Sequence, residues 1–225
     1  DNLLSDEIIA AERAEIWTAL SQIRYIFSHG LLRDAAYSMQ MQARRVELHA
    51  TAVDALEKVY AEDVEHHYGE LAYHAEHAKL AEKAFHYLRC AGKASAAAYQ
   101  NSQAVDYFNR ALTFASPDDL VAHYELISER VELFSRMGQR ELQLNDLNLL
   151  ERWAEEIDDD VRLVKIMILR SLYYQTTGHY LNSIEFAKRA DSYITPEMPP
   201  ELITKIQNYW AAALLRLGNL GEAME

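Results

Sequence analysis

The stretch MILRSLYYQTTGHYLNSIEFAKRADSY, residues 167–193, carries the pattern that decides the fold. Gly178 separates two amphipathic segments in it, and Gly138 and Gly218 stand forty residues to either side. A glycine in this setting favours a left-handed residue that ends one helix and turns the chain into the next. Self-similarity with a fixed period of about forty residues is typical of a helical solenoid. The sequence therefore predicts an all-α array of stacked antiparallel helix pairs.

Apolar residues spaced three or four apart extend this pattern towards the N-terminus. The predicted pairs are 31–59 with 63–78, 80–98 with 101–115, 119–137 with 140–157, 161–177 with 180–194, and 201–217 with the segment from 219 onward. The chain before Gly30 differs. β-Branched and aromatic residues fall there in two short runs, around Ile16–Trp17 and Ile23–Phe27, which predicts a small β-hairpin.

Composition bounds the function. The chain has 225 residues, 50% of them hydrophobic, and a formal net charge of −13. Nucleic acids and anionic membranes both select Lys and Arg, so neither is expected as a partner. Cys90 is the single cysteine, which predicts a reducing, cytoplasmic setting. No apolar run reaches the length of a transmembrane helix. The sequence stops a few residues into a repeat without a polar cap, which favours a segment of a longer protein.

The repeat itself resembles a known family. GHYLNSIEFAKRA, residues 178–190, follows Tyr174 and precedes Pro196, and LGNLGEAM follows Tyr209 and Trp210 in the same pattern. Both look like the tetratricopeptide repeat, in which a glycine and an aromatic residue mark the turn. The period of forty exceeds the thirty-four residues usual in that family. The repeat at 118–157 departs from it, because Gln143 stands where a small residue is usual.

The N-terminal half carries a second resemblance. RYIFSHGLLRDAAYSMQMQARRVELHATAVDALEKVY, residues 24–60, and residues 71–112 are similar to a region of bacterial AAA or STAND-type signalling ATPases. There a winged-helix domain passes into a tetratricopeptide-like array. This resemblance implies three parts: 1–30 as the end of a winged-helix-like segment, 31–117 as a helical linker with the first helix pairs, and 118–225 as the repeats. Such proteins are fused to nucleotidyl cyclase, protein kinase or LuxR-type effector domains.

The sequence offers little catalytic chemistry. It contains no G-x-x-x-x-G-K-[ST] loop to hold nucleotide phosphates, and no nucleophile elbow. We therefore assign no catalytic, cofactor-binding or metal residue to this segment. His67, Glu70, His74 and His77 share a helix face, and imidazoles at that spacing can bind zinc. They span about 15 Å along the helix, so one ion reaches only two or three of them. We expect this face to serve packing.

The expected functional surface is the concave face lined by the first helix of each repeat. The repeat register places ten residues on it, polar with some apolar ground: Glu125, Ser128, Glu132, Ser135, Lys165, Ile168, Leu172, Gln175, Lys205 and Asn208. Such a face could hold a peptide, another domain of the same polypeptide or a small effector.

Three functional hypotheses follow. The first is a non-catalytic interaction and sensor segment of a large bacterial signalling ATPase. The second is a stand-alone tetratricopeptide adaptor that binds a peptide partner. The third is a metal-dependent helical enzyme built on the histidine face, and the sequence favours it least.

Overall fold

The computed structural model describes residues 2–19 and 25–218, and within these ranges the chain is dominated by α-helices. Eleven helices occur in the described part: α1 (Asn2–Arg13), α2 (Gly30–Met39), α3 (Gln42–Val59), α4 (Tyr68–His77), α5 (Ala81–Ala97), α6 (Asn101–Leu112), α7 (Leu120–Met137), α8 (Arg140–Ile157), α9 (Asp160–Thr176), α10 (Tyr180–Asp191) and α11 (Pro200–Leu217). A turn of 3₁₀ helix, Val64–His67, precedes α4.

The three periodic glycines adopt the conformation that their spacing predicted. Gly138, Gly178 and Gly218 have φ of 70°, 80° and 82°, in the left-handed region that an L side chain rarely adopts. Gly138 and Gly218 end α7 and α11, and their amides donate to backbone carbonyls of the last helical turn. The predicted helix boundaries around these glycines are confirmed. The predicted partner helix from residue 219 lies outside the described residues.

Two aspartates begin helices at the expected places. The Asp119 carboxylate accepts a hydrogen bond from the Ala122 amide at 2.9 Å, and Asp159 accepts one from the Arg162 amide at the same distance. Each carboxylate thereby satisfies one of the amides left open at a helix N-terminus. These caps set the starts of α7 and α9, whose later turns line the surface described below.

A short antiparallel strand pair follows α1. β1 (Trp17–Ala19) pairs with β2 (Tyr25–Phe27), with Trp17 opposite Phe27 and Ala19 opposite Tyr25. The strands lie within or beside the two runs from which the hairpin was expected, although Ile23 falls outside the described residues. Strands of three residues do not define a winged-helix domain, and that assignment stays a prediction.

The predicted helix over 31–59 is wrong in one respect, because the chain breaks between α2 and α3. Gln40 and Met41 are extended, with ψ of 135° and 147°. Neither is Gly or Pro, and the apolar spacing runs through them, so no local signal in the sequence marks the break. Its physical reason lies in Tyr37, which reaches His49 twelve residues on. A continuous helix would separate the two by about 18 Å along its axis.

The helices contact mainly their neighbours in sequence, and α9 also contacts α11. Three clusters of buried apolar side chains result. The first joins α3 to α7 around Val53, Leu88 and Phe108, the second joins α7 to α9 around Leu147, and the third joins α9 to α11 around Ile206. This arrangement agrees with a helical array in which each helix buries its apolar face against the next.

Candidate interaction groove

One cleft crosses alternate helices of the array and is called the groove below. It has a volume of about 470 Å³ and is open to solvent. Its lining comes from α5, α7, α9 and α11: Lys93, Tyr124, Glu125, Ser128, Glu129, Glu132, Lys165, Ile168, Leu169, Leu202 and Lys205. The residues that line this cleft thus belong to every second helix between α5 and α11.

The groove continues into a second cavity of about 250 Å³ between α7, α9 and α11, to which Gln143 of α8 also contributes. Four residues line both cavities, so the two form one surface: Glu132, Ile168, Leu169 and Lys205. Ser135, Leu172 and Tyr209 line the extension. The groove and its extension therefore present a continuous strip of polar and apolar side chains.

Eight of the ten residues expected on the concave face line these two cavities: Glu125, Ser128, Glu132, Ser135, Lys165, Ile168, Leu172 and Lys205. Gln175 and Asn208 do not line them. The Gln175 amide donates to the backbone carbonyl of Tyr209, so it joins α9 to α11. Asn208 is exposed on α11. Most of the residues that the repeat register placed on one face therefore lie together in the structure. Their role in binding stays a prediction.

The floor of the groove is apolar. Ile168, Leu202 and Tyr124 are each more than nine-tenths buried, and their side chains close the space between α7, α9 and α11. Burial raises the pKa of Tyr124 to about 12, so its phenol stays neutral at physiological pH. Its hydroxyl donates weakly to the Arg162 carbonyl at 3.4 Å. A ligand bound here would contact apolar side chains at the floor and charged side chains at both rims.

The acidic rim belongs to α7, and each of its carboxylates has a cationic partner. Glu125 lies 3.2 Å from Arg89 and Glu129 lies 3.5 Å from Lys93, so both are tied to α5. Glu132 pairs with Arg136, one turn along α7, at 3.6 Å. These exposed pairs contribute little to stability. They do neutralise this side of the groove.

The basic rim is different. Lys165 on α9 and Lys205 on α11 are exposed and stand forty residues apart, at equivalent positions of successive repeats. Within residues 2–19 and 25–218, neither ammonium has a carboxylate within 4 Å, whereas Lys93 across the groove is paired. An unpaired pair of ammonium groups beside an apolar floor favours an anionic group in a ligand.

Sequence reasoning missed part of the lining, namely Lys93, Tyr124, Glu129, Leu169 and Leu202. Lys93 was missed because the register was applied only to 118–225, although α5 is the first helix of the preceding predicted pair. Applying the same alternation to that pair would have placed α5 on this surface. Glu129 and Leu169 lie one residue beyond Ser128 and Ile168, within the width of a helix face.

The histidine face is divided by the structure. His67 stacks on Tyr60 with ring centroids 3.5 Å apart, away from the others. His74 and His77 instead meet His49 of α3, which the sequence reasoning did not single out. In the part of the chain that the structure describes, no group of three or more His, Cys, Asp or Glu is arranged to hold a metal ion.

Comparisons with known proteins show the fold alone. No family model matches the chain, and no curated protein matches its sequence. Among solved structures the chain is similar to BtubC (BKLC) from P. vanneervenii, with a TM-score of 0.58 at 10% identity. The match covers 82% of this chain and 87% of BtubC. Among the helices described, none combines the length and apolarity needed to cross a bilayer.

Proposed function

We propose that this chain is a non-catalytic protein-interaction segment whose groove binds an extended peptide containing an acidic residue beside apolar ones. The observation that carries the proposal is the charge asymmetry of the groove. Its glutamates are neutralised by neighbours, while Lys165 and Lys205 remain unpaired among the described residues. An acidic side chain at the basic rim would complete the pairing, and apolar neighbours would cover Ile168 and Leu202.

The chemistry of the rims sets the selectivity. Unpaired ammonium groups attract an anionic ligand and fix its position along the groove. The glutamates of the acidic rim already have cationic partners, so they add little affinity for a cationic ligand. The apolar floor supplies the non-directional part of binding, at about 25 cal/mol for each Å² of apolar surface removed from water. A small anionic effector is the second candidate, since a volume of about 470 Å³ falls in the range of small-molecule sites.

Two finer assignments belong to the same proposal. We infer a tetratricopeptide-like stacking, supported by the forty-residue period of the left-handed glycines and by the lining of the groove from alternate helices. We also infer a place in a cytoplasmic bacterial signalling ATPase of the AAA or STAND type, supported by the resemblance of residues 24–60 and 71–112. The groove would then hold a segment of the same polypeptide, and a stand-alone adaptor would hold another protein. The size of the native polypeptide in a cell lysate separates these sources.

Peptide binding tests the groove directly. A peptide library with Asp, Asn or Ala between apolar residues is screened, and the best peptide is measured by fluorescence polarisation with the wild-type chain and Lys205→Ala. We expect Asp to be preferred and Lys205→Ala to weaken binding about tenfold. A hydrogen bond to a charged group contributes about 1.5–3 kcal/mol, and 1.4 kcal/mol corresponds to a factor of ten.

Lys58→Ala is the matched control, because Lys58 is exposed on α3 outside the groove and its loss changes the net charge equally. It should leave the affinity unchanged. An equal loss with both variants would show general attraction in place of a site. Equal affinity for the Asp and Asn peptides would also contradict the proposal. Competition by a small dicarboxylate at the concentration of the peptide would favour the small effector.

A further inference from the structure

Three imidazoles meet where α2, α3 and α4 come together, at a place called the histidine junction below. His49 is 93% buried there, and its Nδ1 lies 2.9 Å from the Nδ1 of His74. Its Nε2 lies 3.1 Å from the hydroxyl of Tyr37 on α2. The His77 ring completes the group, with its centroid 4.9 Å from that of His49.

The bond between His49 and His74 depends on their protonation. One Nδ1 must carry hydrogen and donate, and the other must offer a lone pair and accept. A single additional proton can still be accommodated, because the second ring nitrogen of each imidazole takes no part in this bond. A second proton gives both Nδ1 atoms a hydrogen, so two N–H groups face each other and the bond is lost.

Burial opposes protonation of both bonded histidines. Burial, followed by the neighbouring His74, His77 and Arg45, lowers the pKa of His49 to about 4. Burial also lowers the pKa of His74, with Glu70 acting in the opposite direction and His77 in the same one. His77 Nδ1 donates to the Tyr73 carbonyl at 2.7 Å. Glu70 is the carboxylate that acts on this group.

Tyr37 connects the junction to α2. No side chain of α2 is buried, and within the described residues its side-chain hydrogen bonds and ring contacts to α3 and α4 all start at Tyr37. The Tyr37 ring packs edge-on against His49, and the Arg45 guanidinium lies 5.0 Å from the ring centroid. By contrast, α3 and α4 are joined by the buried Val53 and Leu71. A charged His49 that turned towards water would therefore free α2 and leave α3 on α4.

We propose that the histidine junction is a pH-sensitive joint that holds α2 against the array at neutral pH and releases it on acidification. The direction of this pH effect follows from the lowered pKa of His49. Well above about pH 6.5, the ordinary pKa of histidine, the His49 imidazole is neutral whether α2 is docked or free. As the pH falls from there towards 4, the free state binds protons that the docked state does not, so the docked state loses stability.

The joint is tested on the full chain with two spin labels. Met39→Cys on α2 and Glu82→Cys on α5 are both exposed, and Cys90→Ser removes the native thiol. Their distance distribution is measured from neutral pH down to about 4, with far-UV circular dichroism of the same samples. We expect a narrow distribution at neutral pH that broadens and lengthens in acid while the helix content is retained. Tyr37→Ala should give the broad distribution at neutral pH.

His49→Gln separates protonation from packing, because glutamine can still hydrogen-bond the Tyr37 hydroxyl but does not titrate. It should keep the narrow distribution across the range, and His74→Gln should blunt the response. His66→Gln, an exposed histidine bonded to Asp63, should behave as wild type. An unchanged distribution in acid, an unaltered response in His49→Gln and His74→Gln, or broadening only in step with loss of helix content would each overturn the proposal.

Discussion

At the scale of single residues, an arginine recurs on the first helix of successive repeats. Arg130 on α7 and Arg170 on α9 stand forty residues apart, and both reach carboxylates of α8. Arg130 grips Asp146 with two nitrogens, at 3.0 and 2.6 Å, and donates a third bond to Asn109. Because Asp146 is only 5% exposed, burial raises its pKa and the arginine acts against that shift. Among the described residues, Arg130 is the cation that pairs with this carboxylate.

We therefore predict that Arg130→Met lowers the free energy of unfolding by about 3–5 kcal/mol, because an unpaired carboxylate is left buried. Arg130→Met with Asp146→Leu should recover most of the loss. The stability that Arg130→Met loses relative to wild type should grow as the pH rises from acid to neutral. A carboxyl whose pKa is raised in the folded state ionises more readily in the unfolded state, so ionisation at higher pH favours unfolding. Urea titrations followed by circular dichroism measure the stability of the single and double variants and its dependence on pH.

The exposed pair of Arg136 with Glu132, 3.6 Å apart, provides the control. Arg136→Met should change stability by less than about 1 kcal/mol. A similar loss in Arg130→Met and Arg136→Met would show that burial of the Asp146 carboxylate is unimportant.

The sequence anticipated which residue types line the groove but not their pairing. Lys165 and Lys205 were placed by the repeat register, which depends only on helical geometry. Whether Lys93 neutralises Glu129 depends on how far α5 lies from α7, a distance that no local pattern encodes. The contact of His49 with His74 was missed for the same reason, since it joins two helices across a turn.

At the scale of helices, α5 and α6 approach each other closely at Gly92. A Cβ atom on Gly92 would lie 2.5 Å from a ring carbon of Phe108, which is fully buried. Packing is therefore the reason for a glycine at this position. The backbone is helical there, so its conformation alone would not require glycine. The space that a side chain at position 92 would need is taken by the Phe108 ring.

Gly92→Ala should destabilise the chain, as overpacking costs about 1–3 kcal/mol and the helix propensity of alanine returns at most about 1 kcal/mol. Gly30→Ala is the matched control, because nothing lies within 4 Å of a Cβ there. Adding Phe108→Leu to Gly92→Ala should remove the clash and reduce the deficit. Thermal melts compare the variants, and a Gly92→Ala chain more stable than wild type would exclude this packing.

Helix boundaries were predictable where a chemical signal marks them. Gly138 and Asp119 end and begin helices by chemistry that is visible in the sequence. The break at Gln40 has no such mark, because the contact of Tyr37 with His49 favours it from a distance. Propensity and periodicity describe a segment alone, so a boundary set by a partner helix escapes them.

At the scale of the whole molecule, neighbouring buried clusters share one helix, α7 or α9, and one partly buried leucine. Leu112 packs against both the first and the second cluster, and Leu163 packs against both the second and the third. Neighbour-to-neighbour contacts make the stability of such an array a sum of unit and interface terms. The interfaces at these leucines therefore govern whether the clusters unfold together.

Leu112→Ala should cost about 2 kcal/mol and separate the unfolding of α5–α6 from that of α9–α11. Hydrogen exchange resolved by segment measures both the loss of stability and the separate unfolding of the two regions. Leu149→Ala is the control, since Leu149 packs against the second cluster alone, and it should lower stability without separating the two parts. Coincident exchange in both regions of Leu112→Ala would contradict a coupling through this residue.

The two bridging leucines also have a mechanical consequence. A tensile load along the chain is carried from one cluster to the next by the helices that they share, α7 and α9, and by the packing of Leu112 and Leu163. Such a chain yields stepwise, with one cluster extending while the others keep their length. Pulling the chain by its two ends should therefore unfold it in more than one step.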